Sequence, residues 1–289
     1  MAESTDTQLE TLVEGIAFGE GPRWHDGTLI FSDIADHRVK RVDSSGNLDT
    51  LFDLGERRPS GLGWLPDGRM LVVSMEDHTL MRQDGDRLEP WVDLSKWCGG
   101  LANDMVVDAQ GRAYVGNLGF DLEAQKMEIA PTHIVRVDPD GSARAVASEV
   151  LCPNGMVITP DGRTLIAAES AGARLAAFEI HSDGSLGEHR VFAALPKKAT
   201  PDGICLDAEN CVWVASPTTQ EFLRVREGGE IAQRISSGER TAIACMLGGD
   251  DRRTLFAITC KTTQFSKAAQ VRDGAIATTR VEVPGAGRP

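Results

Sequence analysis

Short apolar segments alternate with tight polar turns along the chain, and one composite segment recurs six times. Each copy has an apolar strand, a turn rich in Gly, Asn or Asp, and a second apolar strand, as expected of a β-hairpin. Alternation of apolar and polar residues with a period of two is typical of half-buried strands. The copies are "EGPRWHDGTLIFSD" from Glu20, "SGLGWLPDGRMLVVS" from Ser60, "NDMVVDAQGRAYVGN" from Asn103, "NGMVITPDGRTLIAAE" from Asn154, "DGICLDAENCVWVAS" from Asp202 and "IACMLGGDDRRTLFAIT" from Ile243.

The six copies are spaced almost evenly. Their last turn residues lie 41, 43, 51, 48 and 41 positions apart, and they are Gly27, Gly68, Gly111, Gly162, Asn210 and Asp251. A period of about 40 to 50 residues indicates a propeller or a solenoid. A further strand follows most hairpins, for example "HRVKRVD" and "EFLRVRE". The repeats therefore predict an all-β fold, a six-bladed β-propeller with four-stranded blades.

The two ends of the chain are expected to close the ring. "LETLVEGI" near the N-terminus and "ATTRVEVPG" near the C-terminus both have the pattern of a strand. We expect the N-terminal strand to complete the last blade, which the C-terminal residues build. No shift in composition marks a linker, so we expect residues 1–289 to form a single domain.

Composition and charge narrow the classes of function. The chain has 30 Lys and Arg against 43 Asp and Glu, a net charge of -13, which disfavours binding to nucleic acid and to anionic membranes. No segment approaches the roughly 20 apolar residues of a membrane span. The first residues lack the basic start and apolar run of a secretion signal, so we expect a cytoplasmic protein. The six cysteines lack zinc-site spacing, which predicts reduced, mostly buried thiols.

The residue that opens each repeat carries the candidate chemistry. The innermost strand of every blade lines the central channel of a propeller, so equivalent positions converge near its axis. Five of the six positions offer an oxygen atom, and they are Glu20, Ser60, Asn103, Asn154 and Asp202. Carboxylate and amide oxygens suit calcium, magnesium or manganese. The alternative is that these residues only cap turns and strand starts.

Five short motifs identify a family that the chain resembles. They are "GEGPRW" at 19–24, "ND" at 103–104, "CPNG" at 152–155, "TPDG" at 200–203 and "VPGAG" at 283–287. With these motifs the chain resembles the SMP-30/gluconolactonase/regucalcin (LRE-like) family of six-bladed propellers over nearly its whole length. The resemblance implies Glu20, Asn154 and Asp202 as metal ligands. It implies Asn103 as a neighbouring residue that contacts the substrate directly or through water.

The resemblance also implies a reaction, because members of this family hydrolyse lactones and some hydrolyse organophosphates. The implied cofactor is one divalent cation, with calcium first and manganese, magnesium, zinc or iron as alternatives. Such a cation would polarise the ester carbonyl and lower the pKa of a bound water, while Asp202 accepts the proton of that water. Asn103 would orient the substrate or stabilise the developing oxyanion. We therefore predict a metal-dependent lactone hydrolase, an enzyme that acts on carboxylic ester bonds of a small molecule.

Other functions remain compatible with the same residues. The first is an organophosphate esterase that uses the same metal site. The second, from a different class, is a non-catalytic calcium-binding propeller. A lyase or condensing enzyme, as in the related strictosidine-synthase propellers, is a further alternative. A Ser-His-Asp hydrolase is disfavoured, since the chain has no Gly-x-Ser-x-Gly motif.

Several residues are expected to shape the substrate pocket. Leu101 stands where the resemblance implies a basic residue in sugar-lactone members, which favours a less polar lactone or ester. In the long connection at 116–132, Phe120 and Met127 are expected to line an apolar pocket, and Asp121 to add a polar contact. Ser60, another repeat-opening residue, is also expected to contact the substrate. The alternative for the connection is a solvent-facing loop with one anchoring aromatic residue.

Overall fold

The chain forms a ring of β-sheets. A computed structural model describes residues 8–120 and 128–287. In these residues, twenty-four strands build six sheets, and each sheet has four antiparallel strands. The six-bladed propeller predicted from the repeats is confirmed.

The strands of each blade follow one another along the chain, except for β1 (Glu10–Ile16), which belongs to the last blade. From the inside outwards, the first three blades are β2 (Gly19–His25), β3 (Thr28–Asp33), β4 (Arg38–Val42) and β5 (Leu48–Asp53); β6 (Pro59–Trp64), β7 (Met70–Ser74), β8 (Thr79–Asp84) and β9 (Arg87–Asp93); and β10 (Ala102–Val107), β11 (Ala113–Asn117), β12 (Thr132–Val137) and β13 (Ala143–Val150). The last three are β14 (Pro153–Ile158), β15 (Thr164–Glu169), β16 (Arg174–Glu179) and β17 (Arg190–Ala194); β18 (Ile204–Leu206), β19 (Val212–Ser216), β20 (Glu221–Val225) and β21 (Ile231–Ser236); and β22 (Thr241–Gly248), β23 (Thr254–Cys260), β24 (Gly274–Arg280) and β1.

The ring is closed by the strand that the sequence predicted. The innermost strands β2, β6, β10, β14, β18 and β22 each contact the next one, and β22 contacts β2. On the outside of blade six, β1 pairs antiparallel with β24, with Glu10 opposite Thr278 and Ile16 opposite Gly274. The predicted completion of the last blade by the N-terminal strand is confirmed.

The C-terminal strand is shorter than predicted. The predicted strand "ATTRVEVPG" runs to Gly285, but β24 ends at Arg280. The following residues cross to blade five, where the Ala208 N–H donates to the Pro284 carbonyl at 2.8 Å and Gly285 forms an isolated bridge with Asp207. Pro284 has no N–H to donate to a sheet, which favours its position outside the strand.

One α-helix interrupts the strands described here. Helix α1 (Phe265–Val271) lies between β23 and β24, and it packs against a 3-10 turn at Ile34–Asp36. With seven residues, it is too short for the periodic apolar pattern on which a helix prediction depends. The sequence analysis therefore did not predict it.

Two further properties concern the membrane and the thiols. Among the described residues, we find no helix with the length and apolar character that a membrane span requires. All six cysteines are free, and all except Cys98 are buried. The prediction of reduced, mostly buried thiols is confirmed.

A buried ion-pair cluster holds the segment that connects β1 to β2. The Asp33 carboxylate accepts the backbone N–H of Ala17 at 3.2 Å and that of Phe18 at 2.8 Å. Lys40, on β4, places its Nζ atom 2.7 Å from Asp33 Oδ2 and 2.5 Å from Asp36 Oδ2. These side chains are nearly inaccessible, with exposed fractions of 6% for Lys40, 0% for Asp33 and 9% for Asp36. The cluster therefore joins blade six to blade one.

Replacing Lys40 tests this cluster. We propose that the chain unfolds as one domain, and we expect Lys40→Ala to lower the free energy of unfolding by about 3–5 kcal/mol, because the buried Asp33 carboxylate loses its cation while Asp36 keeps Arg272. Chemical denaturation followed by circular dichroism measures the change. Lys267→Ala, at an exposed position of α1, is the control and should leave stability unchanged. Equal midpoints for both variants would contradict the role of the cluster.

Asp36 gives the protein an acid-sensitive contact. Arg272, which follows α1, donates to both Asp36 oxygens at 2.7 and 3.1 Å. Burial raises the pKa of Asp36, but hydrogen bonds from Arg272 and Lys40 outweigh burial and hold this pKa well below its usual value. A depressed pKa contributes stability that is present above the pKa of the unfolded chain, roughly 4, and is lost as the pH falls below it.

We therefore expect wild-type protein to lose more stability than Asp36→Asn between pH 5 and pH 3. Asp36→Asn should be the less stable protein at pH 6, and the difference should narrow as the pH falls, since its side chain does not titrate. Urea midpoints at each pH provide the measurement. Parallel curves for the two proteins would show that Asp36 is not the acid-sensitive group.

Candidate active site

Four of the repeat-opening residues meet at one end of the central channel. Glu20 lies on β2, Asn103 on β10 and Asn154 on β14, while Asp202 precedes β18. All four line one cavity of about 260 Å³. The innermost strands thus bring together side chains that are far apart in the sequence.

Glycine after the functional residue allows this convergence. A Cβ atom added at Gly155 would lie 2.6 Å from the Ile204 backbone nitrogen, and one added at Gly203 would lie 2.4 Å from the Ala244 Cβ. Such distances are far inside van der Waals contact, so a side chain there would push neighbouring blades apart. The "NG" and "DG" pairs therefore mark close approach of two innermost strands, rather than the turns considered as an alternative.

Asn154 connects the site to its surroundings. Its Nδ2 atom donates to Asp202 Oδ1 at 2.5 Å and to Ser170 Oγ at 3.3 Å. Ser170 Oγ in turn donates to the Pro201 carbonyl at 2.7 Å. Since both amide hydrogens are directed at these acceptors, the amide oxygen of Asn154 is the atom left for a ligand.

Glu20 and Asp202 form a carboxyl pair that has no cationic partner among the residues that the structure describes. Glu20 is only 6% exposed, and its Oε2 atom accepts the Gly21 N–H at 2.6 Å. Burial raises the pKa of Glu20 well above its usual value, and the charges of Asp202 and Asp104 raise it further. Burial also raises the pKa of Asp202 to about 7, although hydrogen bonds with Glu20 and Asn154 oppose this shift. The pair therefore resists full ionisation, and a bound cation would favour the charged form of both carboxyl groups.

Asp104, which follows Asn103, is instead a structural partner of Arg23. Its Oδ1 atom lies 2.9 Å from Arg23 Nη2, and both side chains are 5% exposed. The Met105 N–H also donates to Asp104 at 2.8 Å. Arg23 therefore neutralises Asp104, and it forms no ion pair with Glu20 or Asp202 in the described part of the chain.

Asn103 offers a free hydrogen-bond donor. Its Oδ1 atom accepts a hydrogen bond from Ser60 Oγ at 3.2 Å, which orients the amide. Its Nδ2 atom is buried and has no hydrogen-bond partner among the described residues. Asn103 lines the cavity and is only 6% exposed, and a buried donor without an acceptor is unfavourable unless a water or a bound molecule accepts its hydrogen bond.

The donor set fits a hard divalent cation. Two carboxylates would balance a charge of +2, and the Asn154 amide adds a neutral oxygen, which matches the preference of calcium or magnesium. Among the described residues, no three His, Cys, Asp or Glu side chains cluster in a way that could hold a metal. An ion at this place would thus depend on the Asn154 oxygen as its third protein ligand.

The structure places the other predicted residues as follows. Phe120 lines the cavity, as expected for an apolar wall, whereas Asp121 and Met127 lie outside the described residues. Ser60 is 1% exposed, and its hydroxyl group donates a hydrogen bond to Asn103. Leu101 lines a neighbouring cavity of about 800 Å³.

Most of the cavity wall was not predicted. The additional apolar lining residues are Phe18, Ile34, Met75, Leu118, Pro201, Pro217 and Phe265. They lie in connections or at strand ends, so the repeated sequence pattern does not identify them. Several of these residues directly follow a strand of the repeat, for example Met75 after β7 and Leu118 after β11. That position in the sequence could have been used to predict them.

Comparison with known proteins places this geometry in a family. Residues 18–261 match the family described as the SMP-30/Gluconolactonase/LRE-like region. The 6-deoxy-6-sulfogluconolactonase of Pseudomonas putida is 26% identical over 285 residues, which are 94% of each chain. The pentonolactonase XacC of Haloferax volcanii is 25% identical over 282 residues, 94% of this chain and 92% of the relative.

A solved structure has the same fold. The calcium-binding protein regucalcin from Agrobacterium tumefaciens superposes with a TM-score of 0.80 at 21% identity, and the match covers 98% of this chain and 97% of that chain. The family match extends over most of the sequence and over all six inner strands that build the site. The chain therefore belongs to the SMP-30/gluconolactonase/LRE-like family.

Proposed function

We propose that the protein is a lactone hydrolase that requires a divalent cation. The observation that carries the proposal is the Glu20–Asp202 carboxyl pair, which shares one cavity with Asn103. Among the described residues, neither carboxyl group has a cationic partner and the Nδ2 atom of Asn103 has no acceptor. A carboxylate base and an oxyanion donor around one small cavity are what ester hydrolysis needs. Two relatives of similar length, named as lactonases, support the same reaction class.

Glu20, Asn154 and Asp202 would hold the cation. Calcium is the first candidate because all three donors are hard oxygens, and the regucalcin from Agrobacterium tumefaciens is itself described as calcium-binding. A cation bound here supplies Lewis acidity, which polarises a carbonyl and makes water more acidic.

The side chains of this protein perform the remaining steps. Asp202 is partly exposed to the cavity and takes a proton from the water that attacks the lactone carbonyl. Asn103 Nδ2 donates to the oxygen on which negative charge develops. The ring C–O bond then breaks, Asp202 returns its proton to the leaving alkoxide, and a hydroxy acid is formed.

Chelation and Asp202→Asn test the proposed reaction. We expect the purified protein to hydrolyse lactones, to lose this activity with EDTA and to regain it with a single added cation. Asp202→Asn keeps the size of the side chain but removes the base and a ligand charge, so kcat/KM should fall by on the order of 100-fold or more. Ring opening is measured by proton release in weak buffer.

Asp84→Asn, at an exposed position at the end of β8, is the matched control and should retain wild-type activity. Full activity after verified removal of all divalent cations would contradict the metal requirement. Turnover of a phosphotriester, with no turnover of any lactone, would assign the site to organophosphates instead.

Asn103→Ala tests the oxyanion donor. We expect kcat to fall by about 100- to 1,000-fold with a small change in KM, because the hydrogen bond strengthens as charge develops in the transition state. Ser60→Ala should cause a smaller fall in kcat, since it leaves the donor in place but releases the amide that Ser60 orients. Steady-state kinetics on one lactone give both values. A rise in KM alone for Asn103→Ala would indicate that the residue only binds the ground state.

A further inference from the structure

We propose that the substrate is a neutral lactone with an apolar substituent, and that Phe265 sets the length of this substituent. The inference rests on the proposed lactone hydrolysis and adds the substrate class. It is carried by the lining of the cavity of about 260 Å³ and by the position of Phe265 at its boundary.

Polar and apolar side chains divide the small cavity. The oxygen-bearing side chains Glu20, Asn103, Asn154 and Asp202 would face the ester group. The remaining wall is dominated by Phe18, Ile34, Met75, Leu118, Phe120 and Phe265. Each methylene group buried against such a wall strengthens binding roughly fourfold. The wall therefore favours an alkyl or aryl substituent on the lactone ring.

Several polar groups of the lining already have hydrogen-bond partners within the protein. Ser170 Oγ donates to the Pro201 carbonyl at 2.7 Å, and the hydroxyl groups of Thr200 and Thr218 lie 2.9 Å apart. The Asn154 amide hydrogens are directed at Asp202 and Ser170. A polyhydroxylated lactone would give up hydrogen bonds to water and find few replacements in this wall, which penalises its binding.

The charges around the small cavity also favour this substrate class. Of the described residues that line the small cavity, none is Lys, Arg or His. Two carboxylates and one divalent cation together carry no net charge, so no excess positive charge is left for a carboxylate, phosphate or sulfonate on the substrate. A neutral substrate is therefore favoured over an anionic one.

Phe265 separates the small cavity from the neighbouring one of about 800 Å³. Its side chain lines both cavities. The Phe265 ring meets the Phe18 ring edge-on at 5.0 Å, and the Arg58 guanidinium lies 5.2 Å from its centroid. At the other end of α1, Arg272 is tied to Asp36. These contacts hold the ring in place, so a substituent too long for the small cavity would meet it.

Removing the ring should join the two cavities. A longer alkyl chain could then extend past residue 265 into the larger cavity, where Leu54 and Leu101 are the apolar contacts in a lining that also has charged side chains. A short chain would gain nothing from this space and would lose its contact with Phe265. The structure therefore assigns Phe265 as a determinant of chain length.

The experiment compares lactones of rising chain length with a sugar lactone. We would measure kcat/KM for γ-hexalactone, γ-nonalactone and D-glucono-δ-lactone with the cation that supports the highest activity. Wild-type protein should prefer γ-hexalactone to the sugar lactone by about tenfold or more. Phe265→Ala should raise the ratio of γ-nonalactone to γ-hexalactone by on the order of tenfold.

Two further variants control for folding. Phe265→Leu retains an apolar side chain and should shift the same ratio less, and it replaces Phe265→Ala if that variant does not fold. Val271→Ala lies at the other end of α1, where Val271 is 51% exposed, and should leave the ratio unchanged. A ratio that stays at the wild-type value in both Phe265 variants would overturn the role of Phe265.

Binding provides a readout that does not depend on turnover. The probes are 2-pyrrolidinone and its 5-ethyl derivative, in which N–H replaces the ring oxygen and prevents lactone hydrolysis. We expect calorimetric titration to show that the ethyl compound, which matches γ-hexalactone, binds about tenfold more tightly to wild-type protein. Equal affinities would overturn the apolar subsite.

The outcomes separate this inference from the proposed function. A higher kcat/KM for D-glucono-δ-lactone than for either alkyl lactone would overturn the apolar substrate class and leave lactone hydrolysis intact. Absence of turnover for every lactone with every cation would overturn the proposed function and the substrate assignment together.

Discussion

The close approach of neighbouring innermost strands is the constraint on which the candidate site depends. A Cβ atom at Gly61 would lie 2.4 Å from the Met105 backbone nitrogen, and Gly155 and Gly203 are equally crowded by the next blade. Because these positions carry no side chain, the strands pack tightly around the axis. Asn154 and Asp202, which precede Gly155 and Gly203, line one cavity, and Ser60, which precedes Gly61, hydrogen-bonds to Asn103 in the same cavity wall.

The buried carboxylates are of two kinds, which differ in whether they form an ion pair with a basic side chain. Asp33 and Asp104 are each satisfied by a basic side chain, Lys40 and Arg23 respectively, so they stabilise the fold. Burial raises the pKa of both Glu20 and Asp202, and no basic side chain among the described residues pairs with either of them. Uncompensated buried charge is costly unless a ligand offsets it, so this pair is the place where a cation would contribute most.

The repeated blades and the connections between their strands contribute differently to the proposed function. The innermost strands present the oxygen atoms, whereas the apolar wall comes from residues that lie outside the repeat register, including Phe18, Met75 and Phe265. Phe265 belongs to α1, the insertion between β23 and β24, and contacts from Phe18 and Arg58 hold it. Changes in such connections can alter the substrate while the blades that hold the oxygen atoms stay the same.

The sequence by itself determined the propeller, its number of blades, the closure by β1 and the set of residues that open the repeats, because alternation and spacing are local properties that the strands retain in the fold. It did not determine the end of β24, helix α1 or most of the apolar wall, since these arise where irregular segments from different blades meet. Only the tertiary structure decided that Arg23 neutralises Asp104, that no described basic side chain pairs with Glu20 or Asp202, and that Ser60 orients Asn103. Those outcomes depend on distances between side chains of separate blades, which no local pattern encodes.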